Sequence, residues 1–314
     1  MKINLKDKTR MTDKNEIGKH IPIMLSECVE SLKINVGEIL IDATVNRGGH
    51  SREFAERLGE SGTLICFDLD KVALAEAEVN LKDKNCKKIF IYSNFRNIKS
   101  EIEKIRFAKV DKIFADLGLS SQELDVSGRG FTFQKDEPLY MTLTSEVNEN
   151  TFTAKDLINN LNIEQLTSIF KNYGDDKNAY KIAKHIVKVR DEEKREIKTT
   201  GDLVKIIEEI NPRKPWIKTH PATKIFQALR IATNDEYGAL NDLLNDGFEI
   251  LSSGGIFSII TFHSGEDRIV KNFFKEKIKE NLANENGKKR KPSESEISEN
   301  KRSRSAILRS IIKL

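Results

Sequence analysis

Short apolar runs alternate with helical patterns along the first third of the chain. The runs that predict buried strands are 38–44, 62–68, 88–92 and 110–116. The segments that predict helices between them are 51–58 and 72–81. Short apolar runs separated by helices of this length are typical of parallel strands that are covered on both faces. This part of the chain therefore predicts an open α/β sheet.

The pattern changes in the middle of the chain and returns near its end. From about residue 124 to about residue 220, apolar residues recur at helical spacing. A long helical stretch is then predicted as far as Leu251, followed by a buried strand over 256–262 and a last strand over 305–312. Residues 284–304 are poor in apolar residues and rich in Lys, Glu and Ser, so they predict a mobile loop.

These segments predict two domains within one chain of 314 residues. The first is a Rossmann-like α/β domain that is discontinuous in sequence, formed by residues 1–123 and 221–314. The second is a helical domain of residues 124–220, inserted into the first and suited to substrate recognition. Hydrophobic residues make up 38% of the chain and charged residues 32%, as is usual for a globular protein.

Charge and cysteine content narrow the function only slightly. The chain carries 53 basic and 49 acidic side chains, and this balance permits a nucleic-acid partner without requiring one. Its three cysteines are widely spaced and form no CxxC motif, so neither a disulfide framework nor a metal site is indicated. We expect no membrane span and no secretory signal, and hence a cytoplasmic protein.

The first predicted strand and the turn after it have the form of a nucleotide-cofactor site. The strand ends near Asp42, the turn holds Gly48 and Gly49, and a helix opens at His50. Open α/β sheets bind ligands at the carboxyl ends of their strands. Asp68 ends the second strand, where a carboxylate can accept hydrogen bonds from both ribose hydroxyls of a nucleoside.

Two cofactors fit this plan. A nicotinamide dinucleotide requires the spacing G-x-G-x-x-G, which the turn Asn46-Arg47-Gly48-Gly49-His50 lacks. S-adenosylmethionine has no pyrophosphate and tolerates another glycine pattern, so the turn favours it. The glycines could also serve only a tight strand–helix turn, and Asp70 is a second candidate for the ribose carboxylate.

The fourth predicted strand ends in Asp116-Leu117-Gly118, at the edge of the sheet where the cofactor is expected. Asp116 could accept a hydrogen bond from an amino group of the cofactor or of a target base. A lone aspartate before Leu-Gly is also a common loop cap. The motif therefore gains weight only from its neighbours.

Several further stretches match one known pattern in the same order along the chain. They are Lys19 to Leu25, Arg47 to Ser51, Asp116 to Ser121, Arg129 to Phe133, His220 to Thr223, Phe226 to Ile231, Phe262 to Ser264, Glu266 to Val270 and Arg302 to Ser305. With them the chain resembles, almost from end to end, the bacterial 16S ribosomal RNA (cytosine-N4) methyltransferases, the RsmH or MraW family. Each stretch is weak alone, but their order is specific.

The resemblance implies methyl transfer from S-adenosylmethionine to the exocyclic N4 amine of a cytidine in the decoding region of 16S rRNA. The implied partner is therefore 16S rRNA or the small ribosomal subunit. Phe95 follows the third strand, where an aromatic ring could lie against the adenine. The cofactor contacts that the resemblance implies are Gly48, Gly49, His50, Asp68, Phe95, Asp116 and Glu123.

The sequence departs from the family's pattern in three places. Asn46 stands where a glycine is usual, and Glu123 replaces the family's cofactor-contacting glutamine. The segment 137–144 lacks two acids and an arginine, although the first aspartate of this motif is kept at Asp136. If the missing groups help to hold substrate in the family, this chain must hold it differently.

Catalysis by such an enzyme has to overcome the poor nucleophilicity of the cytosine amine. Positioning of the reacting atoms supplies much of the rate, and an acceptor for the amine proton would add to it. The chain lacks the Asp/Asn-Pro-Pro-aromatic loop that many amine methyltransferases use. We hypothesise that Asp116, with neighbouring backbone carbonyls, is the acceptor.

Substrate contacts and some functional alternatives stay open at this level. The predicted lysine face of the inserted domain could bind RNA phosphates or could simply be solvated; it comprises Lys177, Lys181, Lys184, Lys188 and Arg190. The remaining alternatives are a methyltransferase for another nucleic-acid amine, a nicotinamide oxidoreductase and a non-catalytic RNA-binding module. The oligomeric state is open as well, with a homodimer as one option.

Overall fold

In the computed structural model, one sheet of seven strands organises the described residues, which are 22–118, 126–144, 146–217 and 219–314. The strands are β1 (Ile39–Asp42), β2 (Thr63–Asp68), β3 (Lys87–Tyr92), β4 (Val110–Asp116), β5 (Leu251–Thr261), β6 (Ala283–Glu285) and β7 (Ile307–Lys313). Their spatial order is β3-β2-β1-β4-β5-β7-β6.

Strands β3, β2, β1, β4 and β5 are neighbours in that order and run parallel to one another. Strand β7 lies between β5 and β6 and is antiparallel to both. The parallel part follows from the sequence, because each of these strands is separated from the next by helices that cross one face of the sheet. The observed sheet confirms the predicted α/β, Rossmann-like fold.

Helices cover both faces of the sheet and build a separate body beside it. Those around the sheet are α1 (Leu25–Leu32), α2 (Gly49–Leu58), α3 (Lys71–Asn80), α4 (Ile98–Lys104), α10 (Glu236–Ile250), α11 (Ser264–Lys279) and α12 (Glu294–Glu299). Those of the helical body are α5 (Ala154–Asn160), α6 (Ile163–Asn172), α7 (Ala179–Asp191), α8 (Thr200–Ile210) and α9 (Thr223–Asn234). None of the described helices is both long enough and apolar enough to cross a membrane.

Three apolar clusters form the cores of these layers. One lies on the face of the sheet that α10 covers and includes Phe67 and Phe257. A second, around Phe54, lies on the opposite face under α1 and α2. The third is the core of the helical body and runs in sequence from Phe131 to Leu229. Helix α9 therefore packs with the helical body, while the predicted limits of the two domains stay a prediction.

The predicted helical stretch that ends at Leu251 is wrong in two respects. Asp235 has a left-handed backbone with φ of 47° and separates α9 from α10. Leu251 is the first residue of β5, and the strand continues through Gly254. The two helices are separate because they pack in different cores. The apolar face of α9 packs in the helical body, whereas the apolar face of α10 packs against the sheet.

The predicted mobile loop over 284–304 is also wrong. This segment contains part of β6, helix α12 and a short 3₁₀ helix at Lys301–Ser305. Polar groups hold it in place: Glu296 Oε1 accepts the N–H of Met24 at 2.7 Å, and Asn286 Nδ2 donates to the carbonyl of Ser31 at 2.6 Å. Low apolar content misled the prediction because hydrogen bonds anchor this segment.

The Glu296 anchor gives a test of this correction. Glu296→Ala leaves the buried N–H of Met24 without its acceptor, so we expect the free energy of unfolding to fall by about 1–2 kcal/mol. Glu294→Ala is the matched control, because Glu294 is an exposed glutamate of the same helix. Urea denaturation of both variants measures the difference, and equal stabilities would show that the anchor is unimportant.

Candidate active site

A cavity of about 310 Å³ lies at the carboxyl ends of β1, β2 and β4. The order of the strands reverses at β1, because β2 lies on one side of β1 in the sheet and β4 lies on the other side. Open α/β sheets bind ligands at such a point, and the volume falls at the lower end of the range for small-molecule sites. The polar residues in the wall are Thr44, Asn46, Asp68, Asp70, Ser93, Asp116, Ser127, Arg129, Glu236 and Glu266.

Asp68 is held at the cavity by the backbone of two loops. Its Oδ2 accepts the N–H of Asn46 at 2.8 Å, and its Oδ1 accepts the N–H of Asp70 at 2.8 Å. Asn46 has φ of 52°, a left-handed conformation that asparagine tolerates better than most residues. This explains how asparagine can replace the family's glycine at this position.

The two glycines of the turn do not line the cavity. Gly48 is buried with φ of 80°, and a Cβ on it would lie 3.4 Å from the Leu81 side chain. A Cβ on Gly49 would lie 2.7 Å from Cγ of Pro22. Both glycines therefore allow other parts of this chain to pack closely against the turn. This agrees with the alternative that they serve only a tight strand–helix turn.

His50 is buried behind the cavity wall and does not line it. Its Nε2 lies 2.9 Å from the carbonyl oxygen of Ile23. Because a carbonyl can only accept, this nitrogen carries the proton and Nδ1 is bare in the neutral ring. Nδ1 lies 3.9 Å from Oδ2 of Asp116, which is beyond hydrogen-bond distance, so the ring packs behind Asp116 and does not reach a ligand in the cavity directly.

Asp116 combines a place in the wall with an incomplete set of hydrogen bonds. Its Oδ1 is buried and has no hydrogen-bond partner among the described residues. Burial raises the pKa of this carboxyl to about 7, and the negative charges of Asp42 and Glu266 add to the rise, although the N–H of Gly118 opposes it. A buried acceptor of this kind is suited to a donor that arrives with a ligand.

Phe95 opens the 3₁₀ turn Phe95–Asn97 after β3 and lies in the cavity wall. It is half-buried and packs partly against the sheet core. The other predicted contact, Glu123, lies outside the described residues. The structure thus brings Asp68, Phe95 and Asp116 together around one cavity and places the turn glycines and His50 outside its wall.

Arg129 is a residue that the sequence analysis noted only as part of a matching stretch. It is buried, and its Nη1 donates to the carbonyls of Thr142, Leu143 and Thr144 at 2.7–2.9 Å. Its Nη2 lies 3.8 Å from Asp70. This one guanidinium therefore ties the segment that bears Leu143, a wall residue, to the loop after β2.

The same contacts explain part of the departure over 137–144. Arg129 uses backbone carbonyl oxygens, which every residue provides, so the identities of Thr142 and Thr144 do not affect its hydrogen bonds. Glu137 also has a role, because its Oε2 accepts the N–H of Gly130 at 3.0 Å. Backbone carbonyls and Glu137 therefore hold the segment in this chain, without the two acids and the arginine of the family pattern.

Acidic and basic side chains pair closely on the far side of the cavity. Arg230 binds both oxygens of Glu236 at 2.8 Å, and Glu266 Oε1 lies 3.0 Å from Nε2 of His263. Burial alone would raise the pKa of the Glu266 carboxyl, but the His263 ring and the Arg230 charge bring it below its usual value. Glu236 lies outside every matching stretch, so no sequence motif pointed to it.

These acids are the described residues that come nearest to a cation site. Ligand atoms of Glu236, His263 and Glu266 all lie within 4.8 Å of one another. However, the guanidinium of Arg230 already occupies both oxygens of Glu236. An added cation would have to displace that guanidinium, so the arrangement favours an internal ion-pair network.

The fold and the site together define a class of protein. The strand order, with β7 antiparallel between β5 and β6, places five carboxylates and the aromatic ring of Phe95 around a cavity at the switch point of the sheet. A nucleoside cofactor offers hydroxyl and amino donors and an aromatic base, which match these groups. The protein is thus an α/β enzyme of the nucleoside-cofactor-dependent type.

Comparisons with known proteins identify the family within this class. The model of the MraW methylase family matches residues 18–314. Ribosomal RNA small subunit methyltransferase H of Clostridioides difficile (strain 630) is 40% identical over 307 residues, which cover 92% of this chain and 97% of that relative. The protein of the same name from Clostridium botulinum (strain Loch Maree / Type A3) is 44% identical and covers 82% of each chain. The chain belongs to the MraW methylase family.

Solved structures show weaker similarity to this chain. An rRNA methylase from Streptococcus thermophilus is 11% identical with a TM-score of 0.40 and covers 92% of this chain and 95% of that chain. TrmN from Thermus thermophilus is also 11% identical, with a TM-score of 0.44, and covers 92% and 48%. The fold assignment rests on the strand order and register of this chain.

Family membership confirms the resemblance that the motifs indicate and makes the protein a methyltransferase with S-adenosylmethionine as its cofactor. The described residues fit that group. Asp68 presents a fixed carboxylate, Phe95 an aromatic ring, and Asp116 a buried oxygen without a partner. Among the described residues of the cavity wall Gly118 is the one glycine, so this part of the wall provides no glycine-rich cradle for the pyrophosphate of a dinucleotide.

Arg129 yields a prediction about cofactor affinity. Arg129→Lys lacks the second guanidinium nitrogen, Nη2, which faces Asp70 while Nη1 donates to the three carbonyls, so the link between the segment that bears Leu143 and the loop after β2 should loosen. We expect the affinity for S-adenosylhomocysteine to fall about 10-fold, measured by calorimetry. Arg57→Lys, at a half-exposed arginine paired with Glu53, is the control, and equal affinities of the two variants would contradict the role of Arg129.

Proposed function

We propose that this protein transfers the methyl group of S-adenosylmethionine to the N4 amine of a cytidine in the decoding region of 16S rRNA. The relatives at 40% and 44% identity are both named for the methylation of small-subunit ribosomal RNA. The choice of cytosine as the base and of N4 as the methylated atom rests on the resemblance of the motifs to the family. The structural observation that carries the proposal is the buried, unpartnered Oδ1 of Asp116 in the cavity wall.

An exocyclic amine is the acceptor group that fits Asp116 best. Cytosine N4 carries two protons, and one can be donated to Oδ1 while the lone pair of the nitrogen faces the methyl group. Asp116 then orients the nitrogen and accepts the proton that methylation releases. The backbone N–H of Gly118 donates to the Asp116 carboxylate and helps to hold it in place.

The remaining groups position the two substrates. When bound, S-adenosylmethionine supplies an electrophilic methyl group on a sulfonium. Asp68 accepts hydrogen bonds from ribose hydroxyls, and Phe95 lies in the wall where an adenine ring would pack. The target base must be unstacked to enter the cavity. The substrate and the cofactor both place the protein in the cytoplasm as part of this proposal.

The identity of the methylated base is directly testable. Deletion of the gene should remove one methyl group from a single cytidine of the small-subunit rRNA, detected by mass spectrometry of nuclease fragments. Complementation with the wild-type gene should restore it. Loss of a methyl group from another base, or from another RNA, would overturn the proposal and favour a related methyltransferase with a different target.

Asp116 predicts a characteristic pH dependence. The proton acceptor must be ionised, and its pKa is raised to about 7, so the single-turnover rate should rise with pH through about 7 and then level off. Asp116→Asn should lower the plateau rate by at least about 100-fold while S-adenosylhomocysteine still binds. A variant with the wild-type rate would exclude Asp116 as the acceptor.

Asp42→Asn is the matched control for that profile. Asp42 is a second buried carboxyl, whose pKa burial raises to about 6, and it does not line the cavity. The inflection in the rate should therefore persist in this variant. Stability provides an independent check: a carboxyl whose pKa rises on folding stabilises the native state only below that pKa. The gain in stability of Asp116→Asn over wild type should therefore grow from pH 5 to pH 8, by roughly 1–2 kcal/mol.

A further inference from the structure

We propose that a surface at one end of the helical body binds the single-stranded RNA beside the target base, with Trp216 stacked on a base. This inference rests on the proposed function and names the RNA contact that the cavity alone does not supply. We call it the helix-end surface; its residues are Lys177, Tyr180, Lys181, Lys184, Arg213, Lys214, Trp216 and Ile217.

Three helix ends meet at this surface. Helices α7 and α8 pack against each other, and Nε2 of His185 in the middle of α7 lies 2.6 Å from Oε2 of Glu209 near the end of α8. The chain then passes through residues 211–222 to α9, and Nε2 of His220 in this loop lies 3.2 Å from Glu208. The loop before α7 reaches the start of α9, where Lys224 Nζ donates to the carbonyl of Asp175 at 2.6 Å. The surface residues therefore flank one shared junction.

The apolar side chains at this junction are unusually exposed. Trp216 is the one tryptophan of the chain, and 79% of it is accessible to solvent. Its neighbour Ile217 is 52% exposed, and Tyr180 at the start of α7 is 58% exposed. An exposed tryptophan ring gains burial and stacking energy only from an external partner, and aromatic rings are suited to stacking on nucleic-acid bases.

The polar side chains indicate the charge of that partner. Lys177, Lys181, Lys184, Arg213 and Lys214 are all exposed, and among the described residues none of them is in an ion pair. At the junction Glu208 and Glu209 are engaged by His220 and His185, and Asp175 is an exposed acid beside the five cations. Exposed aromatic rings among free cations match single-stranded nucleic acid, whose bases stack while its phosphates pair with the cations.

Helix α9 sets the distance from this surface to the cavity. It starts near the junction, and its last residue, Asn234, accepts the N–H of Leu143 at 2.9 Å with its side-chain oxygen. Leu143 is part of the cavity wall. Twelve residues of α-helix span about 18 Å, which corresponds to about five stacked nucleotides. A single strand can therefore reach both places at once.

The single tryptophan makes the test direct. We would titrate the full chain with a single-stranded RNA oligonucleotide of about 12 nucleotides from the decoding region, and follow tryptophan fluorescence. Stacking should quench the emission, and affinity should fall with rising salt. The same oligonucleotide in a perfect duplex should quench far less, because its bases are already stacked.

Variants separate stacking from charge. Trp216→Ala should weaken RNA binding about 10-fold by filter binding, whereas Trp216→Phe should retain most of the affinity. Val36→Ala, at an apolar residue 72% exposed on the sheet domain, should leave binding unchanged. The double variant Lys181→Ala, Lys184→Ala should reduce the slope of log affinity against log salt by about 1.4, which is two phosphate contacts on a single strand, and Lys82→Ala on the sheet domain should not.

The outcomes distinguish this inference from the proposed function. Methyl transfer to small ribosomal subunits should show a raised KM and an unchanged kcat in Trp216→Ala, with unchanged binding of S-adenosylhomocysteine. Quenching by RNA without any methyl transfer by the wild type would defeat the proposed function and leave this surface standing. Transfer that Trp216→Ala does not alter, or a dimer that this variant dissociates without any effect on RNA, would overturn the inference.

Discussion

Three neighbouring parallel strands each end in an aspartate, and the site depends on how this crowding of carboxylates is resolved. In the register of the sheet Asp42 stands opposite Cys66 and Phe114. Asp68 and Asp116 therefore lie two residues further toward the carboxyl edge. Asp42 is consequently buried beneath the cavity, where Ser51 donates to it, while the other two carboxylates reach the cavity wall.

Each carboxylate is stabilised to a different degree, and the differences define the chemistry. Backbone N–H groups hold both oxygens of Asp68, which suits a group that binds but does not react. Asp116 keeps one buried oxygen without a partner, and its pKa rises to about 7. When the environments of two carboxyl groups give them different pKa values in this way, the two groups take different chemical roles. The helical body completes the site, because Arg129 fixes the segment that closes the cavity over these acids.

Much of this could be predicted from the sequence, and the failures have physical causes. The strands β1, β2 and β4 follow from local apolar runs, and the fold and family from ordered motifs. The break at Asp235 was missed because α9 packs in one apolar core and α10 in another, which local sequence does not reveal. The order of segment 284–304 was missed because a long-range hydrogen bond, from the N–H of Met24 to Glu296, holds that segment. Gly48 and Gly49 were expected to contact the ligand. A glycine in the sequence indicates that something packs closely against the backbone, but it does not show whether that is a ligand or another part of the protein.

The sequence by itself determined which elements form, that their carboxyl ends carry acids, and to which family the chain belongs. Those properties depend on residue order and on the period of the hydrophobic pattern, which are local. Only the tertiary structure decided which acid is buried, which is held by backbone amides and which is left without a donor. Strand register and burial set those differences, because a carboxylate acquires its pKa from the neighbours that folding brings to it.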